Sequence, residues 1–347
     1  MSAIYKKLEE VCEILDSRRV PITAKNRKTG IYPYYGANGL QDYVAEYIFD
    51  DELVLLAEDG GNFGSKERPI AYRVSGKCWV NNHAHVLKAK PLVNADYLCY
   101  ALMFYDTEGL VNGATRQKLT QTAMRQMMIP YRNMTEQLQI ADEINQVIRL
   151  IDKRKEELSL LDQLVKSRFI EMFGDPEKNP FGWDMSTIGV LISSCEAGWS
   201  GNGSQREKKD GEIAVLKVSA VTKGYFIPDE CKVLDDQSNI KKYVFPQEGD
   251  LLFSRANTRE MVGATAVITQ NYPEYILPDK LWRIRFVDAT NVWYMKYILS
   301  SKSIRAIFAS VSTGTSGSMF NVSMEKFKSI AVPLPPLELQ EQFAVFV

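Results

Sequence analysis

Cysteine is scarce in this chain of 347 residues, and its arrangement excludes two kinds of site. The five cysteines are Cys12, Cys78, Cys99, Cys195 and Cys231. Because their number is odd, their spacing is wide and no C-x-x-C pair occurs, the sequence indicates neither a disulfide framework nor a zinc site. This usage is typical of the reducing cytoplasm, where we expect the protein to be found.

Long hydrophobic runs and an excess of one charge are also missing. No stretch approaches 18 consecutive apolar residues, and residues 1–7 do not begin a signal peptide, so we expect neither membrane insertion nor secretion. The 42 basic and 43 acidic residues give a net charge of −1. No overall positive field therefore draws the chain to nucleic acid, and any surface that binds it must be local.

Histidine occurs only twice, as His83 and His85. Two residues spaced in this way in a strand project from the same face, which is one requirement of a metal site. No cysteine or carboxylate cluster lies near them in the sequence. We therefore interpret both as hydrogen-bonded structural histidines and expect no metal site.

The common motifs of catalysis are absent. The sequence contains no phosphate-binding G-x-x-x-x-G-K-[ST], no dinucleotide-binding G-x-G-x-x-G after a strand and no nucleophile turn G-x-S-x-G. The segment 333–336 lacks the Asn or Asp and the aromatic residue of an amino-methyltransferase loop. The segment 207–209 has the E-x-K fragment of a metal-dependent nuclease but no suitably placed aspartate before it. We expect a non-catalytic protein without a cofactor of its own.

What the sequence does contain is the same pattern twice. Pro130 recurs as Pro333 and Gln137 as Gln340, both 203 positions later, and each pair follows a loop rich in glycine and threonine. Other matches have smaller offsets: residues 53–55 align with 251–253 near an offset of 198, and residues 8–11 align with 188–191 near 180. Each copy is long enough to bury a core, so this is a domain duplication rather than a solenoid repeat.

A long helix is predicted between the two copies, from Met134 to about residue 172. Asn133 and Glu136 form a cap at its start, and residues 174–176 bring a glycine and a proline at its end. Apolar residues recur at alternating steps of four and three, which is a heptad pattern and favours a coiled coil over a long core helix. We call these residues the seam: Ile140, Ile144, Val147, Ile151, Leu158, Leu161 and Val165.

The partner of this helix should be its second copy, which begins at Pro336 and continues for only about a dozen residues. An isolated helix of that length is marginal in water. We expect either a truncated polypeptide or a coiled coil completed by another chain. The sequence thus predicts four parts: domain 1 at 1–133, a central spacer helix at 134–173, domain 2 at 174–335, and the start of a distal helix at 336–347.

Each domain is predicted to be α+β. Short apolar runs bounded by turns indicate strands at 52–56, 78–80, 85–87, 214–218, 250–253 and 282–286. Helices are expected at 97–104 and 293–299. Glycine and asparagine turns separate these runs.

Several polar loops carry the residue types that bind DNA. Phosphates bind Lys, Arg, hydroxyl groups and backbone N–H groups. Base edges accept hydrogen bonds from Arg, and they both accept from and donate to the amides of Asn and Gln. Any one such loop is more often a solvated surface. The candidates for DNA contact are Lys25, Arg27, Lys28, Asn62, Lys66, Arg68, Thr115, Arg116, Lys118, Arg206, Lys208, Arg255, Asn257, Arg259, Thr315, Ser316 and Ser318.

Taken together, these features resemble the DNA-specificity subunit of type I restriction–modification systems. They are the tandem domains, the glycine-threonine loops and the segment Pro333-Leu-Pro-Pro-Leu-Glu-x-Gln340 that opens a helix. The resemblance covers essentially the whole chain and implies two similar mixed α/β target-recognition domains joined by a long helix of coiled-coil type. Residues 113–118 and 314–318 would be loops that face DNA.

The resemblance also implies function and partners. Each domain would read one half of a bipartite asymmetric DNA site, and the chain would act as a scaffold for methyltransferase subunits, which use S-adenosylmethionine. A restriction subunit that uses ATP and Mg²⁺ would join the complex in phage defence. Two alternatives stay open at this point. One is a truncated scaffold or anti-phage partner protein with little DNA binding, and the other is a free-standing DNA methyltransferase or nuclease.

Overall fold

The computed structural model describes residues 4–113, 116–313 and 319–347, and the chain divides into two compact units. Unit 1 comprises residues 1–155 and unit 2 residues 156–347, so the boundary falls inside the long helix. Among the described residues, no helix is long and apolar enough to cross a membrane. The predicted boundaries at 133, 173 and 335 stay predictions.

Unit 1 contains twelve strands and four helices among its described residues. The strands are β1 Ile4–Lys7, β2 Cys12–Ile14, β3 Thr29–Gly36, β4 Gly39–Val44, β5 Phe49–Asp50, β6 Leu53–Ala57, β7 Ala71–Val74, β8 Lys77–Val80, β9 Ala84–Ala89, β10 Val111–Asn112, β11 Lys118–Leu119 and β12 Met128–Tyr131. The helices are α1 Leu8–Val11, α2 Ala95–Met103, α3 Gln121–Arg125 and α4 Met134–Phe173.

Unit 2 repeats this order with twelve described strands and five helices. The strands are β13 Met185–Thr187, β14 Ile192–Ala197, β15 Gly203–Ser204, β16 Ala214–Leu216, β17 Cys231–Leu234, β18 Leu251–Ser254, β19 Ala256–Asn257, β20 Thr265–Val267, β21 Tyr275–Ile276, β22 Leu281–Phe286, β23 Phe320–Asn321 and β24 Ala331–Pro333. The helices are α5 Ile188–Leu191, α6 Val292–Ser300, α7 Lys302–Val311, α8 Met324–Ser329 and α9 Leu337–Phe346.

The two units share the main features of their topology. A four-stranded sheet has the order β2-β9-β6-β7 in unit 1 and β14-β22-β18-β20 in unit 2. A second four-stranded sheet in each unit contains one parallel pair, β3 with β8 and β16 with β21. The two ends of each copy also pair, because β1 is antiparallel to β12 and β13 to β24. The fold class predicted from the sequence is therefore confirmed.

The central strand of each unit is buried on both faces, and this corrects one sequence alignment. Val54 and Leu56 face the same core as the helices of unit 1, and Leu251 and Phe253 do so in unit 2. Val54 thus corresponds to Leu251 at an offset of 197, so the predicted alignment of residues 53–55 with 251–253 is wrong by one. A slip of one residue exchanges the faces of a strand, and uniformly apolar strands give no pattern that reveals it.

The central helix α4 runs from Met134 to Phe173, as its caps predicted. Asn133 accepts a hydrogen bond from Glu136 N at 3.0 Å, and Gly174 follows with a φ of 78°. In the middle of the helix the seam is exposed: Val147 is 56% and Leu158 67% accessible. Residues 147–161 are thus not those of a core helix.

The short helix α9 begins at Leu337, one residue after the predicted start at Pro336, and it is stabilised by packing. Phe343 is fully buried, with its ring 5.4 Å from that of Phe169 and 5.6 Å from that of Phe173. Burying a phenylalanine contributes on the order of 2 kcal/mol, which offsets the poor stability of an isolated ten-residue helix. The helices α1, α3, α5, α7 and α8 were not predicted from the sequence.

Candidate nucleic-acid interface

Two loops meet beside the carboxyl end of β6 in unit 1. We call residues 58–70, which follow β6, the strand loop, and residues 113–118, which lie between β10 and β11, the glycine loop. Leu119 N donates to Glu58 O at 2.7 Å, Gly60 N donates to Gln117 O at 3.2 Å, and Asp59 forms a bridge with Lys118. These backbone bonds hold the candidate residue Arg116 next to the strand loop.

Arg116 and His83 share one carboxylate. Arg116 Nη2 donates to Asp59 Oδ1 at 2.6 Å, and His83 Nδ1 lies 2.6 Å from the same oxygen. The Arg116 side chain is 59% exposed, whereas that of Asp59 is only 18% exposed. The guanidinium of Arg116 is therefore at the surface, and the carboxylate of Asp59 that holds it lies beneath.

A buried ionic network lies under the same loops. Arg19 Nη1 is 2.6 Å from Glu58 Oε2, and Lys118 Nζ is 3.1 Å from Glu58 Oε1. His85, which is fully buried, contacts Asp16 Oδ2 at 2.6 Å and Leu119 O at 2.9 Å. Through His85 of β9, the network links the sheet to Glu58 at the start of the strand loop and to Lys118 at the end of the glycine loop.

The hydrogen bonds define the charges in this network. Burial opposes ionisation of Asp16, but the hydrogen bonds from His85, Val86 N and Gln121 act together against it, and the pKa of Asp16 lies below its ordinary value. Burial likewise opposes ionisation of Glu58, yet the hydrogen bonds from Arg19 and Lys118 together hold its pKa low. Both ring nitrogens of His85 are thus engaged, Nδ1 by the Asp16 carboxylate and Nε2 by Leu119 O.

Asp16, Glu58 and His85 also have donor atoms within 4.8 Å of one another, which is the composition of a metal site. Arg19 and Lys118 already pair with Glu58, and both ring nitrogens of His85 are engaged by Asp16 and Leu119 O. The arrangement is that of a structural ion network, and we propose no metal there.

In unit 2 the strand loop has the equivalent backbone pairing. Its strand loop, residues 255–263, pairs with β23, in which Ala256 is opposite Asn321 and Asn257 opposite Phe320. Val322 N donates to Arg255 O at 2.9 Å, as Leu119 N does to Glu58 O in unit 1. The glycine loop of unit 2, residues 314–318, is outside the described residues, and the flanking Thr313 and Asn321 pair with each other.

The side chains under the loops of unit 2 differ from those of unit 1. At the offset of 197, Trp282 occupies the place of His85 and Ala256 that of Asp59. Trp282 is 3% exposed and stacks on Phe253 at 5.5 Å. Arg255 instead donates from Nε to Asp279 O at 2.8 Å. An ionic network thus supports the loops in unit 1, and an aromatic core supports them in unit 2.

The candidates next to the second sheet of each unit are partly fixed by internal contacts. Arg27 lies 4.2 Å from the ring centroid of Tyr34 and 3.3 Å from Asp42 Oδ2. Arg206 makes bonds of 2.8 and 2.6 Å to the two oxygens of Glu212, and these bonds lower the pKa of Glu212 to about 2. The candidates Lys25 and Lys28 are exposed, and Lys208 is half-buried.

The structure brings together some candidates and separates others. The loop pair of unit 1 contains Asn62, Lys66, Arg68, Arg116 and Lys118, and the strand loop of unit 2 contains Arg255, Asn257 and Arg259. The remaining described candidates lie in segments next to the second sheets: Lys25, Arg27 and Lys28 precede β3, and Arg206 and Lys208 lie between β15 and β16. Thr115, Thr315, Ser316 and Ser318 fall outside the described residues, and the DNA role of every candidate stays a prediction.

Sequence reasoning missed the acidic residues beneath the loops. Glu58 and Asp59 are neighbours in the sequence, but Asp16 lies far from them and none of the three is part of a recognisable motif. Asp59 lies 57 positions before Arg116, and only the folded sheet brings the two together. No local signal was available to find them.

Comparison with known proteins decides the family. The model of the type I restriction modification DNA specificity domain matches twice, over residues 4–160 and 180–347. The chain belongs to this family. Both the predicted resemblance and the predicted role as a non-catalytic DNA sequence-recognition subunit are thereby confirmed, and the enzyme alternatives are not favoured.

Relatives of the specificity family span most of the chain. A Haemophilus influenzae protein, provisionally named type I restriction enzyme specificity subunit S.HindORF215P, is 27% identical over 97% of this chain and 85% of its own length. The EcoKI specificity subunit of Escherichia coli is 21% identical over 84% of this chain and 66% of its own. The crystal structure of a type I S subunit from M. genitalium, 13% identical, covers all of this chain and 88% of its own with a TM-score of 0.55, which supports the fold.

Proposed function

We propose that the chain reads a bipartite, asymmetric DNA site, with one half contacted by each unit. One observation supports the proposal: equivalent backbone bonds, Leu119 N to Glu58 O and Val322 N to Arg255 O, join the first residue of the strand loop in each unit to the segment that follows the glycine-rich sequence. A duplicated scaffold that presents unlike side chains at the same place is suited to reading two unlike half-sites.

Within each loop pair, we propose a division of roles. Phosphates are contacted by exposed cations, which are Lys66 and Arg68 in unit 1 and Arg259 in unit 2. Long, exposed, positively charged side chains suit the DNA backbone, because it is the same whatever the base sequence. Asn257 contacts a base edge, since its amide carries both a donor and an acceptor. With a net charge of −1, the chain alone should bind DNA weakly.

We further propose that the chain assembles with methyltransferase subunits that carry S-adenosylmethionine and with a restriction subunit that uses ATP and Mg²⁺, in the cytoplasm. The exposed seam, which includes Leu158 at 67% and Leu161 at 51% accessibility, provides a surface for another helix. Pairing in trans with a second copy or another chain would cover it.

The decisive experiment is selection from a library of duplex DNA that has two randomised segments separated by gaps of different length. The full chain is tested alone and with its methyltransferase subunit, at two salt concentrations. Enrichment of two unlike half-sites at one fixed gap supports the proposal. A single continuous site, or enrichment of none with the methyltransferase present, contradicts it and favours a scaffold with little DNA binding.

A further inference from the structure

The guanidinium of Arg116 is both exposed and oriented. Its Nη2 donates to Asp59 Oδ1 at 2.6 Å and lies 3.4 Å from His83 Nδ1, which itself contacts Asp59. Arginine has five N–H donors in one plane, so a bond along one edge fixes the direction of the others. The 59% exposure of the side chain leaves its outer part open to a ligand.

The backbone around Arg116 is shaped to fit this side chain. Gly60 has a φ of 62°, a left-handed conformation that favours glycine, and a Cβ atom there would lie 3.2 Å from Arg116 Nε. Asn38 Nδ2 donates to Gly60 O at 2.9 Å, and Gly60 N donates to Gln117 O. The guanidinium thus packs against a turn that is held from two sides.

The carboxylate beside Arg116 discriminates between two kinds of DNA contact. A phosphate that binds the guanidinium would bring a negative charge close to Asp59, and the two anions repel each other. The major-groove edge of guanine presents two neutral acceptors, N7 and O6, in the spacing that an arginine fork matches. A guanidinium already paired with a carboxylate therefore suits a base edge better than the DNA backbone.

From this geometry we infer that Arg116 reads a guanine in the half-site of unit 1, and that Asp59 and His83 are positioning residues for it. The inference rests on the proposed function and deepens it. Among the described residues of unit 2 this arrangement has no counterpart, because Ala256 occupies the place of Asp59, so we assign this arginine–carboxylate pair to the half-site of unit 1.

The test uses the same randomised DNA library with the full chain, alone and with the methyltransferase subunit. Arg116→Lys keeps the charge but loses the fork, and we expect it to flatten the guanine preference at one position by on the order of 10-fold or more, without changing the other half-site. Asp59→Asn removes the carboxylate that orients Arg116 and the repulsion between that carboxylate and a DNA phosphate. It should weaken the same preference while increasing binding to unrelated DNA and its salt dependence.

Arg125→Ala is the matched control. Arg125 is also a partly exposed arginine of unit 1, 40% accessible, and it pairs with Glu9 at 3.3 Å. It should leave every base preference unchanged. Thermal unfolding of each variant, expected to match the parent because Arg116 and Arg125 are exposed, separates loss of recognition from loss of fold.

Two results would overturn the inference while the proposed function stands. One is an Arg116→Lys chain that selects the parental sequence at every position. The other is an Arg116→Ala chain that binds all sequences more weakly by the same factor, with a salt dependence reduced by about one phosphate contact. If the parent chain itself enriches no bipartite site, the proposed function and this inference fail together.

Discussion

The side-chain oxygen of Gln137 accepts a hydrogen bond from the backbone N–H of Asn94 at 2.8 Å. Its amide nitrogen donates to Leu92 O at 3.0 Å and to Arg132 O at 2.8 Å, and Leu92 is a non-glycine residue with a φ of 68°. Gln137, fully buried, thus fastens the start of α4 to the cap of α2 and supports a strained turn.

Gln340 repeats this arrangement in unit 2. Its side-chain oxygen accepts from Asn291 N at 2.9 Å, and its nitrogen donates to Pro335 O at 2.8 Å. The cap of α6 is thereby fastened to the start of α9. The offset of 203 seen in the sequence therefore has a structural cause, because two positions of the duplicated fold require the same buried amide.

Replacing Gln137 with alanine should destabilise unit 1. The change leaves a buried N–H and two carbonyl groups without partners, at a cost of about 1–3 kcal/mol in the free energy of unfolding. Gln139→Ala is the control, since Gln139 lies two positions along and is exposed. Urea unfolding of both variants measures the difference, and equal stabilities would show that the buried bonds contribute nothing.

Replacing Asp16 with asparagine should weaken unit 1 in a way that depends on pH. The side chain is 4% exposed and lies 2.6 Å from His85 and 3.5 Å from the guanidinium of Arg19, so losing its charge disrupts a buried ionic network, at a cost in stability on the order of 3 kcal/mol. The pKa of Asp16 is lowered in the folded state, so its contribution is present above the unfolded value near 3.8 and is lost as the pH falls through the folded value.

The measurement for Asp16→Asn is urea unfolding of variant and parent at pH 7, 5 and 3. The difference between them should be largest at pH 7 and shrink at pH 3. Asp42→Asn is the control, because Asp42 is an exposed acid paired with Arg27 and should change little. A difference that grows on acidification would contradict the assignment.

Replacing Gly263 with alanine should distort the strand loop of unit 2. Gly263 has a φ of 81°, and a Cβ atom there would lie 2.4 Å from Phe308 Cδ2. Both the left-handed backbone and the clash with a buried ring should contribute, for a loss of roughly 3 kcal/mol in stability. Gly224→Ala is the control, because it has a φ of 83° but open space around it.

Thermal unfolding measures both glycine variants. Gly224→Ala should cost about 1 kcal/mol, from backbone strain alone. The excess loss in Gly263→Ala then reports the contact with Phe308. If the two variants are equally stable, Phe308 accommodates the methyl group and the loop is more adaptable than the packing indicates.

The double change Leu158→Glu and Leu161→Glu should reduce association through α4 without loss of stability in the isolated chain. Both side chains are more than half exposed and lie on the seam. Leu160→Glu is the matched control, since Leu160 is 57% exposed but lies on the opposite face of the helix. Sedimentation at micromolar concentration measures association, and a parent chain that is strictly monomeric and binds no partner helix would contradict the role of the seam.

The sequence predicted the elements that rest on local signals. The bounds of α4 follow from Asn133 and Gly174, and the strands in β6, β9, β18 and β22 follow from their apolar runs. The offset of 203 was also reliable, since Tyr97 and Tyr294 donate equivalent bonds of 2.8 and 2.7 Å to Pro130 O and Pro333 O. Residues that recur at this offset therefore make equivalent contacts in the two units.

Other features depend on contacts that no local pattern encodes. The amphipathic helix α7 was missed even though Ile304 and Phe308 are buried, because its start follows directly on α6 at Ser301. The register of β6 against β18 was wrong by one, since both faces of these strands are apolar. The anchors of Arg116 were missed because Asp59 and His83 reach it only through the sheet.

The buried amides at Gln137 and Gln340 have a consequence for how such a chain changes over time. Each glutamine forms its hydrogen bonds only with groups of its own unit. A segment exchanged with another chain between Gln137 and Gln340 therefore includes all the groups that Gln340 bonds. New loops inserted before either glutamine leave these hydrogen bonds intact. Diversification of recognition then requires no repair of the scaffold, and chimeras joined at these residues should fold as readily as their parents.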